Sequence, residues 1–566
     1  MPAQTSTALD QLLDGLTTAI AGWVRPSLGL VDAHSGKPTP PDHYGQTCAA
    51  LALCSPIMGN TSKRDSALAA WMNTPDSQID HLPFNRLALH LMHTLFADQF
   101  DASQKARIQA GIKRCRLRTR YPSNNWTLLA ATCTLLEAPA AARPRHAKAM
   151  ARMIQRWTTS KGAFIDYPSK PGTAICTPLA YHHKALFLGA LALRFCADEE
   201  LATQTRRLFD WLVHCWDDAG YAGGFGRSTH ALFGDACLIA ALILLGLDES
   251  GPIDAIAQRL HQQLRPDGFL WLDPWGPIEG TKHWDDYMHL SVYNAWAAAI
   301  LHSAREVRAS YPLAPQLQQL KWQASSAGLF HDEEAGLASW RDTAGNVILL
   351  STTGQPPQAP APSTADLRYS GGRAYHLRIV SYPPDMHPGY RGKLSELEGA
   401  PDLADTTPLL RHGPGLCAMD HYPEATLNAT PDGFALRLRG EANPVTPLPP
   451  TSLAGRIMAA IDWRFLGGRL GRGANLKRKP LPGLEANRTL QLNTSAKCVS
   501  VKQELSLSQH SYANCVHPPA NEFSPVVETE PATGSSYIYQ QCSTYDRETG
   551  ARPTSPTGDM NPGAAT

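Results

Sequence analysis

Over its first 310 or so residues the chain repeats one pattern, apolar side chains recurring at helical spacing with no strand-like run between them. Leu9, Leu12, Leu13, Leu16 and Ile20 set the pattern at the start. The spacing predicts helices over Ala8–Val24, His43–Cys54, Ser62–Trp71, Phe84–Phe96, Ala102–Arg118 and Trp126–Leu136. It continues with Arg143–Thr158, Leu179–Phe195, Glu199–Val213, Thr229–Leu245, Ile253–Leu264 and Tyr287–Ala309. Short loops rich in Pro, Gly and Asp join them. About twelve helices in a row must bury their apolar stripes against one another, as stacked antiparallel hairpins. Closed on itself, such a stack is an (α/α)6-like toroid whose loops at one end line a central cavity; left open, it is a solenoid. No fixed-period repeat is legible, so helix count and alternation carry the expectation.

Near Leu313 the texture changes to short alternating runs: Gly336–Trp340, Asn346–Ser351, Ala374–Ser381 and Gly433–Arg439. Gly, Pro and Asp punctuate these runs, which read as strands of an antiparallel β-sandwich-like domain. The expected order is therefore a multidomain chain, α then β. A toroid over residues 1–312, the candidate catalytic domain, precedes a sandwich over 313–481. Residues 482–566 are expected to be a weakly structured or disordered tail, with room for two strands near its start.

Charge and composition narrow the partners. The chain has 51 basic and 50 acidic residues, a net charge of +1. It therefore has no basic field with which to hold a nucleic acid by its phosphates. The N-terminus lacks the basic region and unbroken apolar core of an export signal. No stretch is apolar for long enough to span a bilayer. A cytoplasmic protein without a membrane partner is expected. The 12 cysteines show no CxxC spacing. Cys48, Cys54, Cys133, Cys196 and Cys237 fall in apolar runs, where a thiol acts as a small hydrophobe.

Four loop clusters could carry chemistry. Asn124, Asn125 and Trp126 open one predicted helix, where Asn125 could equally be a cap. The stretch from Lys161 to Phe187 delivers Tyr181, His182 and His183 onto the first turn of another helix. Tyr and His are common proton carriers near neutral pH. The Gly-rich turn at 223–229 presents Arg227 but lacks the strand context of a phosphate loop. The fourth runs from Trp271 to Tyr287 and holds Trp275, Glu279, His283, Trp284, Asp285 and Asp286. Trp rings in an irregular loop can stack on sugar faces. Together the clusters fit a cavity with proton carriers, a carboxylate-neutralising pair and aromatic subsites.

These motifs resemble the heparinase II/III-like proteins and polysaccharide lyases. The motifs are NNW at 124–126, GAFIDYP at 162–168, YHH at 181–183, GFGRS at 224–228 and EGTKHWDDY at 279–287. The resemblance covers residues 40–480 and implies a toroid joined to an antiparallel β-sandwich. It implies β-elimination on an acidic polysaccharide or oligosaccharide containing uronic acid. By that resemblance Asn125 neutralises the uronate and Tyr181 and His182 transfer protons. Arg227 binds the carboxylate and Glu279 supports the site; in the elimination itself Tyr181, His182 or Tyr287 would return the proton to the leaving oxygen. Trp126, His183, Trp271, Trp275, His283, Trp284 and Asp285 would contact substrate.

Two other readings use the same cleft. A glycoside hydrolase would draw paired carboxylates from Asp166, Asp273, Glu279, Asp285 and Asp286. A non-catalytic carbohydrate-binding protein would keep only the aromatic subsites. The elimination route needs no metal or other cofactor. His182, His183, His283 and Asp285, or His376, His387, His412 and His421, have ligand-type side chains without a metal-site spacing. Arg373 and the loop Tyr390–Lys393 could add positive charge for an acidic polymer.

Overall fold

The computed structural model describes residues 7–55, 61–121, 123–166, 179–223, 225–226, 231–247, 251–274, 289–354, 364–380, 385–386, 389–404 and 406–445. Further on it describes residues 453–454, 457–458, 461, 480–494, 498–508, 514–517, 524–527 and 537–546. Described residues up to Ser325 form one compact unit and those from Ser326 onward a second.

The first unit contains twelve α-helices among the described residues, each where the periodicity predicts one. They are α1 (Ala8–Trp23), α2 (Gly45–Ala52), α3 (Thr61–Met72), α4 (Leu82–Leu95), α5 (Ala102–Arg114) and α6 (Asn124–Glu137). The series continues with α7 (Arg143–Trp157), α8 (Leu179–Phe195), α9 (Glu199–Leu212), α10 (Leu232–Leu244), α11 (Gly251–His261) and α12 (Leu290–Ser310). Capping boxes start two of them, Thr7 with Asp10 at α1 and Asp101 with Gln104 at α5.

Two kinds of helix alternate. Every residue of α2, α8 and α10 is buried. In α7 only Ala147, Met150, Ala151 and Ile154 are, and in α5 only Ile108 and Gly111. A helix apolar all round belongs inside, and one with a single apolar stripe belongs on the surface. The contacts agree: α2 packs on α4, α4 on α6, α6 on α8, α8 on α10, α10 on α12, and α12 back on α2. The odd-numbered helices lie against this circuit, α3 on α2, α5 on α4, α9 on α8 and α11 on α10. Cys48, Cys54, Cys115, Cys133, Cys215 and Cys237 are buried free thiols in this core, and Cys196 is half-buried.

A short turn over residues 159–166 ties α6, α8 and α9 together. Thr159 Oγ1 accepts from the amides of Gly162 and Ala163. Gly162 has a φ of 112°, and a Cβ there would stand 2.6 Å from the Arg207 carbonyl oxygen, so only glycine fits. The Arg207 guanidinium in turn donates to the carbonyls of Thr159 and Ser160.

The second unit is built of antiparallel sheets. One orders its strands Gly328–Asp332, Leu337–Arg341, Val347–Ser351, Arg373–Arg378 and Asp385–Met386. Another runs Glu424–Thr430, Gly433–Glu441, Glu485–Thr494, Cys498–Leu507, Tyr537–Asp546 and Ser524–Val527. Trp340, Ile348 and Leu350 of the first share an apolar cluster with Phe434, Leu436 and Leu438 of the second. The helix-rich start and the later antiparallel sheets are as expected from sequence.

The two strands for which the sequence has room after residue 482 fall at Glu485–Thr494 and Cys498–Leu507. Gly433–Glu441 pairs along its whole length with Glu485–Thr494, which pairs with Cys498–Leu507. Leu490, Leu492, Leu505 and Leu507 face the shared cluster. A chain ending at Leu481 should lose hydrogen-exchange protection over Gly433–Glu441, because that strand loses one of its two neighbours. Wild-type protection there would show that the later strands are dispensable.

Candidate active site

The N-terminal ends of the even-numbered helices meet, and each brings a distinctive residue to the meeting point. Tyr44, ahead of α2, stacks on Phe84 of α4 with ring centroids 4.4 Å apart. Phe233 of α10 stacks on Trp296 of α12 at 5.5 Å, and Tyr181 of α8 meets Phe233 edge-on at 6.5 Å. Trp126 of α6 stays partly exposed against His81 at 4.9 Å, Phe84 at 5.4 Å and Tyr121 at 5.7 Å.

Within this aromatic lining lies an amine that sequence reasoning missed. Lys184, one helical turn beyond Tyr181, has no exposed surface. Its Nζ donates to Asn125 Oδ1 at 2.8 Å and sits 4.0 Å from the centroid of the Phe84 ring. Asn125 is held from behind: Asp166 Oδ1 accepts from its backbone N at 3.0 Å and from Nδ2 at 2.6 Å. Nδ2 also donates to Ser123 Oγ at 3.1 Å. Asn124 N donates to the Asp166 carbonyl and Asn124 Nδ2 to the Ile165 carbonyl, both at 2.7 Å. Residues 165–166 thus satisfy the open amides at the start of α6. Burial pushes the Lys184 amine down to about 7, partly offset by Cys237, Asp166 and Cys133. The signal was a lysine inside the run AYHHKALFLGALALRFC, where α8 buries every residue.

A second polar group gathers where α2, α4 and α12 meet. His43 Nδ1 donates to Asp42 Oδ1 at 3.1 Å. Its ring stacks on His81 at 4.3 Å and meets His289 edge-on at 4.9 Å. His81 caps α4 with φ 48° and ψ 35°, the one left-handed non-glycine residue among the described residues. Its Nδ1 donates to the Asp42 carbonyl at 2.7 Å. Burial first, then His43, push His81 down to about 4. Asp32 Oδ2 accepts from Ser291 N at 2.7 Å and so caps the start of α12 beside His289. The sequence signal was Asp42-His43-Tyr44 directly ahead of an apolar helix; the other two histidines are far away in the chain.

The residues expected from sequence divide into three groups. Tyr181, Asn125 and Trp126 are brought together with Lys184. His182 lies close by in a different role: its Nδ1 accepts from Phe164 N at 3.1 Å and its Nε2 donates to the Leu208 carbonyl at 2.9 Å. With both nitrogens held by backbone and the ring wholly buried, His182 pins the 159–166 turn and α9 to α8. Burial, then His183, push it down to about 3, so it is neutral. His183 is buried beside the backbone of Ala222 and Gly234, and burial holds it down at about 4. Asn125 likewise departs from its expected role, since both amide hydrogens already go to Ser123 and Asp166. The Trp271 ring carries the Arg265 guanidinium 4.0 Å above its centroid, so one face is covered. Arg227, Trp275, Glu279, His283, Trp284, Asp285, Asp286, Tyr287 and His387 lie outside the described residues. Among the described residues no group of three or more His, Cys, Asp or Glu could hold a metal ion. Nor, among them, is any helix long and apolar enough to cross a membrane.

No family model matches the chain, and no curated protein matches it in sequence. Solved structures similar to it include an α-1,6-mannanase of glycoside hydrolase family 76 from Salegentibacter, at 10% identity and TM-score 0.38. That match covers 53% of this chain and 99% of the mannanase. A polysaccharide lyase is similar at 12% identity and TM-score 0.36, over 53% of this chain and 97% of that one. A cellobiose 2-epimerase from Spirochaeta thermophila is similar at 12% identity and TM-score 0.39, over 52% and 95%. Likeness this slight carries neither reaction nor substrate to this chain.

Two measurements check the geometry. The Lys184 amine sits below its unfolded value of about 10.4, so between about pH 7 and 10 the unfolded chain binds the extra proton. Stability should therefore rise with pH across that window, by at most about 1.4 kcal/mol per pH unit from this group. Lys184→Met should flatten the rise in thermal-midpoint measurements; an unchanged slope would mean the amine is not so perturbed. His182→Phe keeps an aromatic ring but strands the Phe164 N–H and the Leu208 carbonyl, and should cost about 3 kcal/mol. An unaltered denaturation midpoint would return His182 to the chemistry.

Proposed function

We propose that the first unit is an (α/α)6 toroid, that the second is an antiparallel β-sandwich, and that the toroid cleaves a uronic-acid-containing saccharide by β-elimination. The observation that supports this reading best is the pairing of Tyr181 with Lys184. A phenol and a fully buried amine stand one turn apart on α8, inside an aromatic lining, with Asn125 bonded to the amine at 2.8 Å.

The reaction needs two things from the protein. The C5 proton beside a carboxylate is weakly acidic, and positive charge or hydrogen bonds on that carboxylate stabilise the carbanion that forms. Lys184 supplies the charge, with Arg227 as a second cation. Asn125, tied back to Asp166, positions the amine. Tyr181, one turn before Lys184 on α8, takes the proton. The C4–O bond then breaks, a C4=C5 double bond forms, and the leaving oxygen must collect a proton. His182 cannot give it with both nitrogens engaged, which leaves Tyr287 from the sequence-based candidates. Trp126 offers a partly exposed ring for a sugar face, with Trp275, Glu279, His283, Trp284 and Asp285 as further substrate contacts proposed from the sequence. No cofactor is required by this route.

The test is incubation of the purified protein with a panel of uronate polysaccharides and oligosaccharides, following the ultraviolet absorbance of the unsaturated product. Tyr181→Phe should lower turnover by about 10²–10⁴-fold, the usual share of one positioned proton carrier. Lys184→Met should lower it comparably by removing the charge. New reducing ends without unsaturated product would sink elimination and favour hydrolysis by carboxylates, of which Asp166 is already committed to Asn125. Neither signal on any substrate would favour a carbohydrate-binding protein.

A further inference from the structure

We propose that His43, aimed by Asp42, is the acid that protonates the leaving glycosidic oxygen, acting across the site from Tyr181. The proposal rests on the elimination reading above and puts His43 in place of Tyr287 as its proton donor.

Three observations carry it. The Asp42 carboxylate takes the Nδ1 hydrogen of His43 at 3.1 Å, which orients the ring and fixes which nitrogen it presents. That leaves Nε2 as the working nitrogen. It is buried in a side chain only 7% exposed and has no hydrogen-bond partner among the described residues. A buried imidazole nitrogen without a partner is costly to maintain unless something else uses it. His182 shows the contrast, with both of its nitrogens bonded to backbone.

The second observation is the backbone beneath the ring. His81 adopts the left-handed conformation, which is unfavourable for a residue that carries a β-carbon. In that conformation His81 donates to the Asp42 carbonyl and lays its ring flat against His43. Strain of this kind persists where the surroundings over-determine it, and such positions cluster at active sites.

The third is placement. His81 touches Trp126, and Tyr44, next to His43, touches Phe84, the ring under Lys184. His43 therefore flanks the same lining as Tyr181, from the α2, α4 and α12 side. The groups facing it are Asp42, His81, His289 and Tyr44, with Asp32 behind His289. His81 and His289 are both held below their ordinary values, by burial first and then by His43. Burial alone would raise the Asp42 carboxyl, but the His43 hydrogen bond and charge outweigh it and keep Asp42 ionised.

The step balances without a co-reactant. Tyr181 phenolate removes the C5 proton, and that electron pair becomes the C4=C5 double bond. The C4–O bond breaks with its pair on oxygen, and the Nε2 proton of His43 completes the hydroxyl. Solvent then exchanges the proton from Tyr181 and restores the one on His43.

The experiment uses the full chain and a uronate saccharide that it cleaves, together with the same uronide carrying fluoride at C4, a leaving group that needs no acid. His43→Gln should lose about 10²–10⁴-fold in kcat on the saccharide with KM little changed. On the fluoride it should stay within a few-fold of wild type. Asp42→Asn, at a half-exposed position that should not disturb folding, should lower kcat on the saccharide more than on the fluoride, because the ring loses its orienting partner. Equal losses on both leaving groups, or full activity in His43→Gln, would overturn the role of His43 while leaving elimination standing. A wild-type protein that forms no unsaturated product from any uronate would bring down the elimination reading and this role with it.

Discussion

The arrangement of the first unit turns on one buried amine. An isolated ammonium in an apolar interior is among the most unfavourable placements a protein can make. Lys184 is tolerated because Asn125 takes its hydrogen bond, Phe84 offers a ring face, and Asp166 stands behind Asn125. Each of those partners depends on another element. Asp166 ends the 159–166 turn, which is held by the Gly162 backbone, by Arg207 of α9 and by His182 of α8. The start of α6, the middle of the first unit and the loop before α8 are therefore one coupled structure. Releasing any one of them leaves the amine without its support.

The helices were legible because burial alternates with so little ambiguity. Surface helices such as α7 show a single stripe, and α8 and α10 show none because every face is covered. The same property concealed Lys184. In a segment this apolar, one lysine reads as an interruption, and nothing in the spacing says that its amine meets an asparagine 59 residues away. His43, His81 and His289 are equally silent in sequence, since three helices far apart in the chain bring them together. The strands from Glu485 onward were legible only as room for two strands, not as part of a sheet. Their outward residues are polar and their inward leucines few, a pattern that only the sheet beside them makes sense of.

The histidines show why residue type outruns residue role. His182 and His43 are both buried, both sit near helix starts, and both lie close to the same aromatic lining. One spends its two nitrogens on backbone groups and works as a rivet between α8, α9 and the turn. The other spends one on a carboxylate and keeps the second in reserve. A sequence shows the imidazole; only the fold shows which nitrogen is left over.

The thiols of the first unit have a further consequence. Burial pushes Cys54, Cys115 and Cys237 up to about 12, and Cys48 and Cys133 higher than that. Sealed in and held protonated, these side chains are inert to alkylating reagents for as long as the helices stay packed. They sit on α2, α6 and α10 and at the ends of α2 and α5, spread around the circuit. The chain thus carries a distributed set of native reporters. The order in which they become reactive under mild denaturant would trace which part of the circuit opens first, without a label having been introduced anywhere.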